Sequence, residues 1–263
     1  MAELPPELVR RIQKEGQENN TIYSRRSGTA YDVSDIHYGH KAMLDWAFQR
    51  LPNLEGLRVL DVGVGQGASS VLLALGGAHV SGIEVSTAAL KIAASLANRY
   101  GVKIDFRQMP GENLRFDAGS FDAILCMSAY HHMDLDRAAS EFARVLRPDG
   151  RLILNEPLAT NPPAWLYRRL GRLFSREATS EESPLHVRDL VFLRNHFRKV
   201  EWHGMFLVSV GLFGLDRLWN NSNPMVHSLT KAAFKYVDPV DAALTKIPGL
   251  RRLAWRIAII ADR

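Results

Sequence analysis

The sequence predicts an α/β fold in which helices cover a mainly parallel β-sheet. From Arg58 onward, short apolar runs alternate with helical segments, which is typical of parallel strands joined by helices. The first of these runs breaks into glycine at every second position, as strands do where they turn into a ligand-binding helix. With 263 residues, 46% of them hydrophobic and 23% charged, the chain is long enough for one substantial core. We therefore expect a single domain over residues 1–263.

Residues 1–56 predict a helical cap in front of the sheet. Two prolines suit the first turn of a helix over residues 5–18, whose apolar side chains fall on one side. The polar, aromatic-dotted stretch that follows has no clear period and predicts a loop. Ser34 or Asp35 begins a second helix, which ends before Pro52.

Seven apolar runs predict the strands of one sheet. Five of them lie in a central core segment, residues 57–156, and two lie in the last third of the chain. Ser86 is placed to cap the helix after the second strand, and Gly101 is placed to end it. The candidate strands are RVLDVG from Arg58, HVSGIEV from His79, KIDFRQ from Lys103, FDAILCMS from Phe121, RLILNEP from Arg151, KVEWHGMFLVSV from Lys199 and WRIAIIADR from Trp255.

Residues 157–263 are expected to complete the sheet and to carry the substrate side of the molecule. They contain one clear helical pattern, HVRDLVFLRNHF, and two inserts with helical character near 161–183 and 212–254. The net charge of +5 is concentrated in this half of the chain. Such an asymmetry favours either an anionic partner or a solvated basic face.

The lone cysteine, Cys126, limits the chemistry of the chain. It excludes an intramolecular disulfide and a cysteine-rich zinc site, and we expect no metal. No N-terminal stretch resembles a signal peptide, so we expect a cytoplasmic protein. The longest apolar stretch, MFLVSVGLFGL from Met205, is shorter than the roughly 20 residues that cross a bilayer. A transmembrane helix is therefore not expected.

The glycine turn in VLDVGVGQG, residues 59–67, predicts a site for a nucleotide-like cofactor. Glycines let backbone amides approach a ligand closely, and the helix that follows favours negative charge. Gly63 and Gly65 also satisfy a dinucleotide pattern, with Glu84 about 20 residues on, where a ribose-binding acid is expected. Asp61 separates the two interpretations, because a carboxylate here repels a pyrophosphate and attracts a sulfonium and an amino group. The charge favours an adenosylmethionine-like ligand over NAD.

The segment from about Val59 to Glu156 resembles the class I S-adenosylmethionine-dependent methyltransferases, of the type that includes ubiquinone and menaquinone biosynthesis enzymes. The matching motifs are VLDVGVGQG, GIEVS, GENLRFDAGSFDAILCMSAYHHM and ARVLRPDGRLILNEP, in family order and near-family spacing. The terminal AWRIAIIADR is similar to the family's last strand. The resemblance implies a Rossmann-like, seven-stranded sheet with an antiparallel last strand and helices on both faces. It also implies transfer of a methyl group from S-adenosylmethionine to oxygen or nitrogen, less readily carbon, of a small organic or lipid-like acceptor.

The resemblance also implies where the cofactor binds. Gly63, Gly65 and Gly67 would contact its amino-acid part, with Asp61 orienting it. Glu84, followed by Val85, would take the ribose hydroxyls. The remaining candidates are Met127 beside the cofactor and Gly111 and Glu112 near the adenine. The chain departs from the family at Pro110, where an aspartate often meets the adenine amino group, so we expect backbone groups and apolar packing to recognise the base.

Two histidines and one glutamate are the candidate catalytic residues. His131 and His132 follow the fourth strand, where the methyl group should face the acceptor, and histidine accepts protons near neutral pH. We expect His132, or else His131, to act as the base; the alternative is a packing role. Glu156, at the end of the fifth strand, is expected to receive a proton or to pair with a cationic acceptor, although a structural hydrogen bond explains it equally well.

Two further segments are expected near the acceptor. Aromatic side chains of the cap, namely Tyr23, Tyr31, His37 and Tyr38, form either a lid over the cofactor or simple packing anchors. Residues 162–177 form a basic amphipathic helix, which either contacts a membrane or lipid or covers the active site with its apolar side. No nucleic-acid-binding module is evident. A non-catalytic regulator that binds S-adenosylmethionine and an NAD-dependent oxidoreductase are the alternative functions.

Overall fold

A seven-stranded sheet forms the centre of the computed structural model, which describes residues 4–26, 32–33, 38–162, 165, 183–212 and 224–263. The strand order is β3-β2-β1-β4-β5-β7-β6. The first five strands run parallel, and β7 runs antiparallel to both of its neighbours. This confirms the predicted fold class. The strands are β1 (Arg58–Val62), β2 (His79–Glu84), β3 (Asp105–Gln108), β4 (Phe121–Met127), β5 (Leu146–Pro157), β6 (Lys199–Met205) and β7 (Arg256–Asp262).

Seven α-helices lie within the described residues, and none of these is long and apolar enough to cross a bilayer. Ser86 caps the fourth of them as predicted, because its hydroxyl accepts a hydrogen bond from the amide of Ala89 at 3.1 Å. The helices are α1 (Pro6–Arg26), α2 (Tyr38–Phe48), α3 (Ala68–Leu75), α4 (Thr87–Arg99), α5 (Leu135–Val145), α6 (Leu190–Arg194) and α7 (Pro224–Leu244). Short 3₁₀ turns cover Tyr130–His132, Val187–Asp189 and Leu250–Leu253.

Several predicted boundaries differ from the structure. Helix α1 continues to Arg26, through residues predicted as a loop. None of residues 17–25 is fully buried, so the sequence shows no apolar period there. The helix predicted over HVRDLVFLRNHF is shorter, with a 3₁₀ turn over Val187–Asp189 and α6 over Leu190–Arg194. Strand β5 begins at Leu146, which pairs with Phe121, and not at Arg151. Strand β6 ends at Met205, five residues before its predicted end.

Both faces of the central strands are buried, as their near-continuous apolar runs predict. On one face Leu60 and Ile124 pack with Phe142 of α5. On the other face Val59, Leu125 and Ile153 pack with side chains of α2 and α3. Helices therefore cover the sheet on both sides, and the central strands hold their carboxyl ends at one fixed edge.

The register of the central strands positions the site. Val62 at the end of β1 pairs with Ile83 of β2 on one side and with Cys126 of β4 on the other. The residues that follow these strands therefore meet at the carboxyl edge of the sheet, where open α/β sheets bind ligands.

Truncating the core under α5 should unfold the protein more easily. Phe142 is fully buried, so we expect Phe142→Ala to lower the free energy of unfolding by about 3–5 kcal/mol. Tyr236 of α7 is 74% exposed, and Tyr236→Ala should change it by less than about 0.5 kcal/mol. Urea unfolding followed by circular dichroism measures both. Equal losses in the two variants would contradict the assigned packing.

Candidate active site

Three glycines shape the turn after β1. Gly63, Gly65 and Gly67 have φ angles of 73°, 52° and 88°, which lie in the left-handed region that favours glycine. A Cβ atom added at Gly63 would lie 2.4 Å from the Cβ of Ala129, in the loop after β4. The turn therefore needs glycine both for its backbone angles and for the close approach of a neighbouring loop.

Asp61 lies behind the glycine turn and does not line the cavity in front of it. Its Oδ2 accepts hydrogen bonds from the hydroxyls of Ser69 at 2.7 Å and Ser70 at 2.5 Å, both in the first turn of α3. Burial raises the pKa of Asp61 to about 6, although the two hydroxyls lower it in part. Both serines hold the carboxylate toward α3, and the role of Asp61 in orienting the cofactor stays a prediction.

Glu84 joins the end of β2 to the same turn. Its Oε2 accepts a hydrogen bond from the amide of Gly65 at 3.2 Å, and its Oε1 accepts from Val85 at 2.9 Å and Ser86 at 3.0 Å. Burial raises the pKa of Glu84, and these three amides oppose that rise. The carboxylate also lines the cavity, so its remaining lone pairs are available to a ligand.

A cavity of about 370 Å³ opens in front of the turn. Its wall includes eight of the nine residues predicted to bind the cofactor, Asp61 being the exception. Met109 lines it beside Gly111, whereas Pro110 does not. The eight residues are Gly63, Gly65, Gly67, Glu84, Val85, Gly111, Glu112 and Met127.

Helix α1 covers this cavity and supplies four wall residues, of which the sequence indicated only Tyr23. Ile12, Glu15, Asn19 and Tyr23 of α1 line it. Tyr23 thus lies at the cofactor side, as a lid residue would, whereas Tyr31 and His37 and the side chain of Tyr38 lie outside the described residues. These four residues recur at the spacing of one helix face, which was the signal available in the sequence. It did not resemble a buried face, because two of the side chains are polar and one is acidic.

Two polar side chains of α1, those of Arg11 and Asn20, hold the helix in place. Arg11 donates a hydrogen bond to Glu112 at 2.5 Å, and the same Glu112 oxygen accepts from the amide of Asp134 at 3.0 Å. The Oδ1 of Asn20 accepts from the hydroxyl of Ser86 at 2.8 Å and from the amide of Ala88 at 3.0 Å. Hydrogen bonds therefore join α1 to the segments that follow β2 and β3, and residues of both segments also line the cavity.

A second cavity of about 660 Å³ adjoins the first. Its wall combines α1 with the loop after β4 and with residues 183–189. Three residues line both cavities, namely Glu15, His132 and Met133. These three residues form the boundary between the two cavities.

His131 and Glu156 form a buried pair beneath the second cavity. The Nδ1 of His131 lies 2.5 Å from the Oε2 of Glu156, and the other carboxylate oxygen accepts from the amides of Ala129 at 3.1 Å and Tyr130 at 2.9 Å. Burial alone would raise the pKa of Glu156, but His131, Arg256 and the amide of Tyr130 together outweigh it and the pKa is lowered. Glu156 lines neither cavity, whereas His131 lines the second. The two amides show the structural hydrogen bonds to a loop that were one expectation for Glu156, and a part in proton transfer stays a prediction.

His132 lies against His131, with ring centroids 4.0 Å apart. Burial, and then the neighbouring His131, lower the pKa of His132 to about 4. The ring is therefore neutral at physiological pH. A group with so low a pKa is a weak proton acceptor.

Arg256 of β7 is a buried cation beneath the site. It donates to the side-chain oxygen of Asn155 at 2.6 Å, to the backbone oxygen of Asn155 at 2.8 Å and to the hydroxyl of Ser128. Burial lowers its pKa to about 10, and the charge of Glu156 opposes that change. An arginine at the start of a strand, directly before five apolar residues, was the signal in the sequence.

Comparison with known proteins identifies the family. A family model described as a methyltransferase domain matches residues 60–154. The ubiquinone biosynthesis O-methyltransferase of Bordetella parapertussis is 30% identical over 184 residues, which cover 68% of this chain and 76% of that protein. The chain is a class I S-adenosylmethionine-dependent methyltransferase. The methyltransferase therefore takes its methyl group from S-adenosylmethionine, and the NAD-dependent alternative is rejected.

Other similar proteins agree with this assignment. The protein of the same name from Alkalilimnicola ehrlichii is 37% identical over 142 residues, which cover 53% of this chain and 57% of that protein. The structure of magnesium protoporphyrin IX methyltransferase from Synechocystis PCC 6803, with bound S-adenosylhomocysteine, superposes with a TM-score of 0.62 at 21% identity and covers 95% of this chain and 98% of that one. The cyclase SpnF superposes with a TM-score of 0.63 at 19% identity, over 95% of each chain. The last two show the fold alone.

The first cavity suits the cofactor of the family. Three carboxylates line it, those of Glu15, Glu84 and Glu112, and no lysine or arginine does so in the described part of the chain. A negative wall attracts the sulfonium and the amino group of S-adenosylmethionine. The glycine turn adds backbone amides that no Cβ atom shields.

Adding one methyl group to the turn should weaken cofactor binding. In Gly63→Ala the new Cβ would collide with Ala129, so we expect S-adenosylhomocysteine to bind at least about tenfold more weakly, a change of 1.4 kcal/mol. Gly101 also has a positive φ, of 66°, but no atom lies within 4 Å of an added Cβ. Gly101→Ala is thus the matched control, with a similar backbone strain and unchanged binding. Calorimetric titration distinguishes the two, and equal affinities would contradict the placement of the cofactor.

Proposed function

We propose that this methyltransferase methylates a hydroxyl oxygen of a small, lipid-like acceptor, with His131 as the base. The observation that carries the proposal is the buried pair of His131 and Glu156 at the wall of the second cavity. The name of the relatives, ubiquinone biosynthesis O-methyltransferase, supports oxygen as the methylated atom. A regulator that only bound the cofactor would have no use for such a pair.

The proposed cofactor contacts follow from the wall of the first cavity. Gly63 and Gly65 hold the amino-acid part through their backbone, and Glu84 takes the ribose hydroxyls with its remaining lone pairs. Gly111 and Glu112 lie at the adenine, beside the buried side chain of Met109. When bound, the cofactor supplies an electrophilic methyl group on a positively charged sulfur.

A base is needed because a hydroxyl must lose its proton when it is methylated. Glu156 stays ionised and accepts the hydrogen bond of His131 Nδ1–H, which leaves Nε2 as the basic nitrogen. The oxygen forms a bond to the methyl carbon, the carbon–sulfur bond breaks, and the hydroxyl proton passes to Nε2. His132 was the first expectation from the sequence, but its low pKa favours a contact role at the boundary of the two cavities.

The second cavity is the proposed acceptor site. Its greater volume and its mixed wall, in which Met133, Leu135 and Leu185 lie among histidines and charged side chains, suit a ring with a polar edge and an apolar substituent. Contact of residues 162–177 with a lipid or membrane stays a prediction, since that segment, apart from Pro162 and Trp165, lies outside the described residues. The cytoplasmic location likewise stays a prediction.

The experiment that tests the proposal is methyl transfer from labelled S-adenosylmethionine to a panel of phenols and matched anilines. The panel should vary the length of an alkyl chain on the ring. We expect transfer to the phenols, with kcat/KM rising as the chain lengthens. Transfer to anilines alone would contradict oxygen as the acceptor atom.

Removing the base should slow turnover without loosening the cofactor. We expect His131→Gln and Glu156→Gln to lower kcat by about 100-fold or more, because a positioned base contributes that much. The rate of the variants should also rise with pH, and it should fall less for more acidic phenols, because the acceptor then ionises without help. Affinity for S-adenosylhomocysteine should stay within about twofold, well below the 1.4 kcal/mol of a tenfold change.

His196→Gln is the matched control for these variants. His196 also pairs with a carboxylate, that of Asp136 at 3.0 Å, but it lines neither cavity. Its kcat should therefore match that of the unmodified enzyme. A normal kcat in His131→Gln, with bound cofactor, would remove His131 as the base.

A further inference from the structure

Glu15 lies at the boundary between the two cavities. It projects from α1 and lines both of them, together with His132 and Met133. Because the methyl group must pass from the cofactor cavity to the acceptor cavity, the sulfur that carries it belongs at this shared wall. Glu15 is the carboxylate of that wall.

The surroundings of Glu15 differ from those of the other two carboxylates in the cofactor cavity. Glu84 accepts three backbone amides, and Glu112 accepts an amide and the guanidinium of Arg11. Within the described part of the chain, Glu15 receives neither a hydrogen bond nor a close ion pair. Of the three carboxylates, Glu15 therefore has the fewest polar partners in the described part of the chain. Its protonation should change most when a charged ligand binds.

The charged groups around Glu15 hold its pKa close to neutral pH. Burial, then the carboxylates of Glu112 and Glu84, raise its pKa to about 7, and Arg11 opposes them. Arg11, Glu18, Glu84 and Glu112 act on its charge. The other titratable groups that share a cavity wall with it in the described residues are Lys14 and Tyr23 of α1, His40 of α2, His131 and His132 after β4, and His186, Arg188 and Asp189. A positive ligand charge in this place would favour the ionised form.

We propose that Glu15 recognises the positive charge of the cofactor's sulfonium and so distinguishes S-adenosylmethionine from S-adenosylhomocysteine. Methyl transfer breaks the carbon–sulfur bond, leaves both electrons on sulfur and turns the sulfonium into a neutral thioether. The attraction to Glu15 is lost in the same step. The product therefore lacks this contribution to binding once the methyl group has moved.

This recognition makes donor binding depend on pH with a definite sign. A bound sulfonium lowers the proton affinity of Glu15, so binding of the donor releases a proton and becomes tighter as pH rises. With a pKa of about 7 in the free enzyme and an ionised Glu15 in the complex, the affinity should rise about tenfold between pH 6 and pH 8. The neutral thioether of S-adenosylhomocysteine does not lower the proton affinity of Glu15, so its affinity should change far less.

Calorimetric titration of the full-length enzyme at pH 6, 7 and 8 tests the proposal. The ligands are S-adenosylmethionine, S-adenosylhomocysteine and sinefungin, in which a protonated amine replaces the sulfonium. Two buffers of different ionisation enthalpy report the protons released. For the unmodified enzyme at pH 7 we expect about half a proton released with the two charged ligands and almost none with S-adenosylhomocysteine.

Glu15→Gln should remove this difference, and Glu18→Gln is the matched control. Glu18 lies one turn along α1 and lines only the second cavity. In Glu15→Gln the ratio of the affinities for sinefungin and S-adenosylhomocysteine should lose its roughly tenfold rise between pH 6 and pH 8. Glu18→Gln should retain that rise.

Two results would overturn the proposal. One is a ratio of donor to product affinity that stays flat with pH in the unmodified enzyme, a measurement that needs no variant to fold. The other is a Glu15→Gln variant that binds and keeps the full pH dependence of that ratio.

Discussion

The buried carboxylates of Asp61 and Glu84 hold the turn after β1 in the shape on which the site depends. Burial raises the pKa of each, so keeping both ionised at neutral pH opposes folding. Hydroxyls of α3 and amides of the turn offset part of that cost by donating hydrogen bonds. The same bonds fix Gly63 and Gly65 relative to α3 and β2. A rigid turn lets the cofactor bind without first having to order the chain.

The two cavities are built from different parts of the fold. The first lies at the carboxyl ends of β1, β2 and β4, whose register is fixed by the buried central strands. The second, the proposed acceptor site, draws on α1, the loop after β4 and residues 183–189. Among the described residues, only Glu15, His132 and Met133 line both walls.

The sequence predicted the parts of this arrangement that depend on local pattern. The apolar runs identified the seven strands, and the spacing of Gly63, Gly65 and Gly67 identified the turn. Both patterns depend on residues that are close together in the sequence. Contacts between distant residues could not be read in this way. Arg11 donates a hydrogen bond to Glu112, which lies 101 positions away in the sequence. The helical period of the second half of α1 was hard to recognise, because Glu15 and Asn19 on its cavity side are not apolar. Whether Asp61 faces the ligand or α3 is likewise decided only by packing.

A crystal structure with bound S-adenosylhomocysteine would show whether the sulfur of the cofactor lies where the two cavities meet. We expect the sulfur beside Glu15, His132 and Met133, with the ribose hydroxyls on Glu84. Asp61 should still accept its hydrogen bonds from α3 in the complex. A sulfur atom remote from that shared wall, or a ribose that does not contact Glu84, would contradict the proposed binding mode.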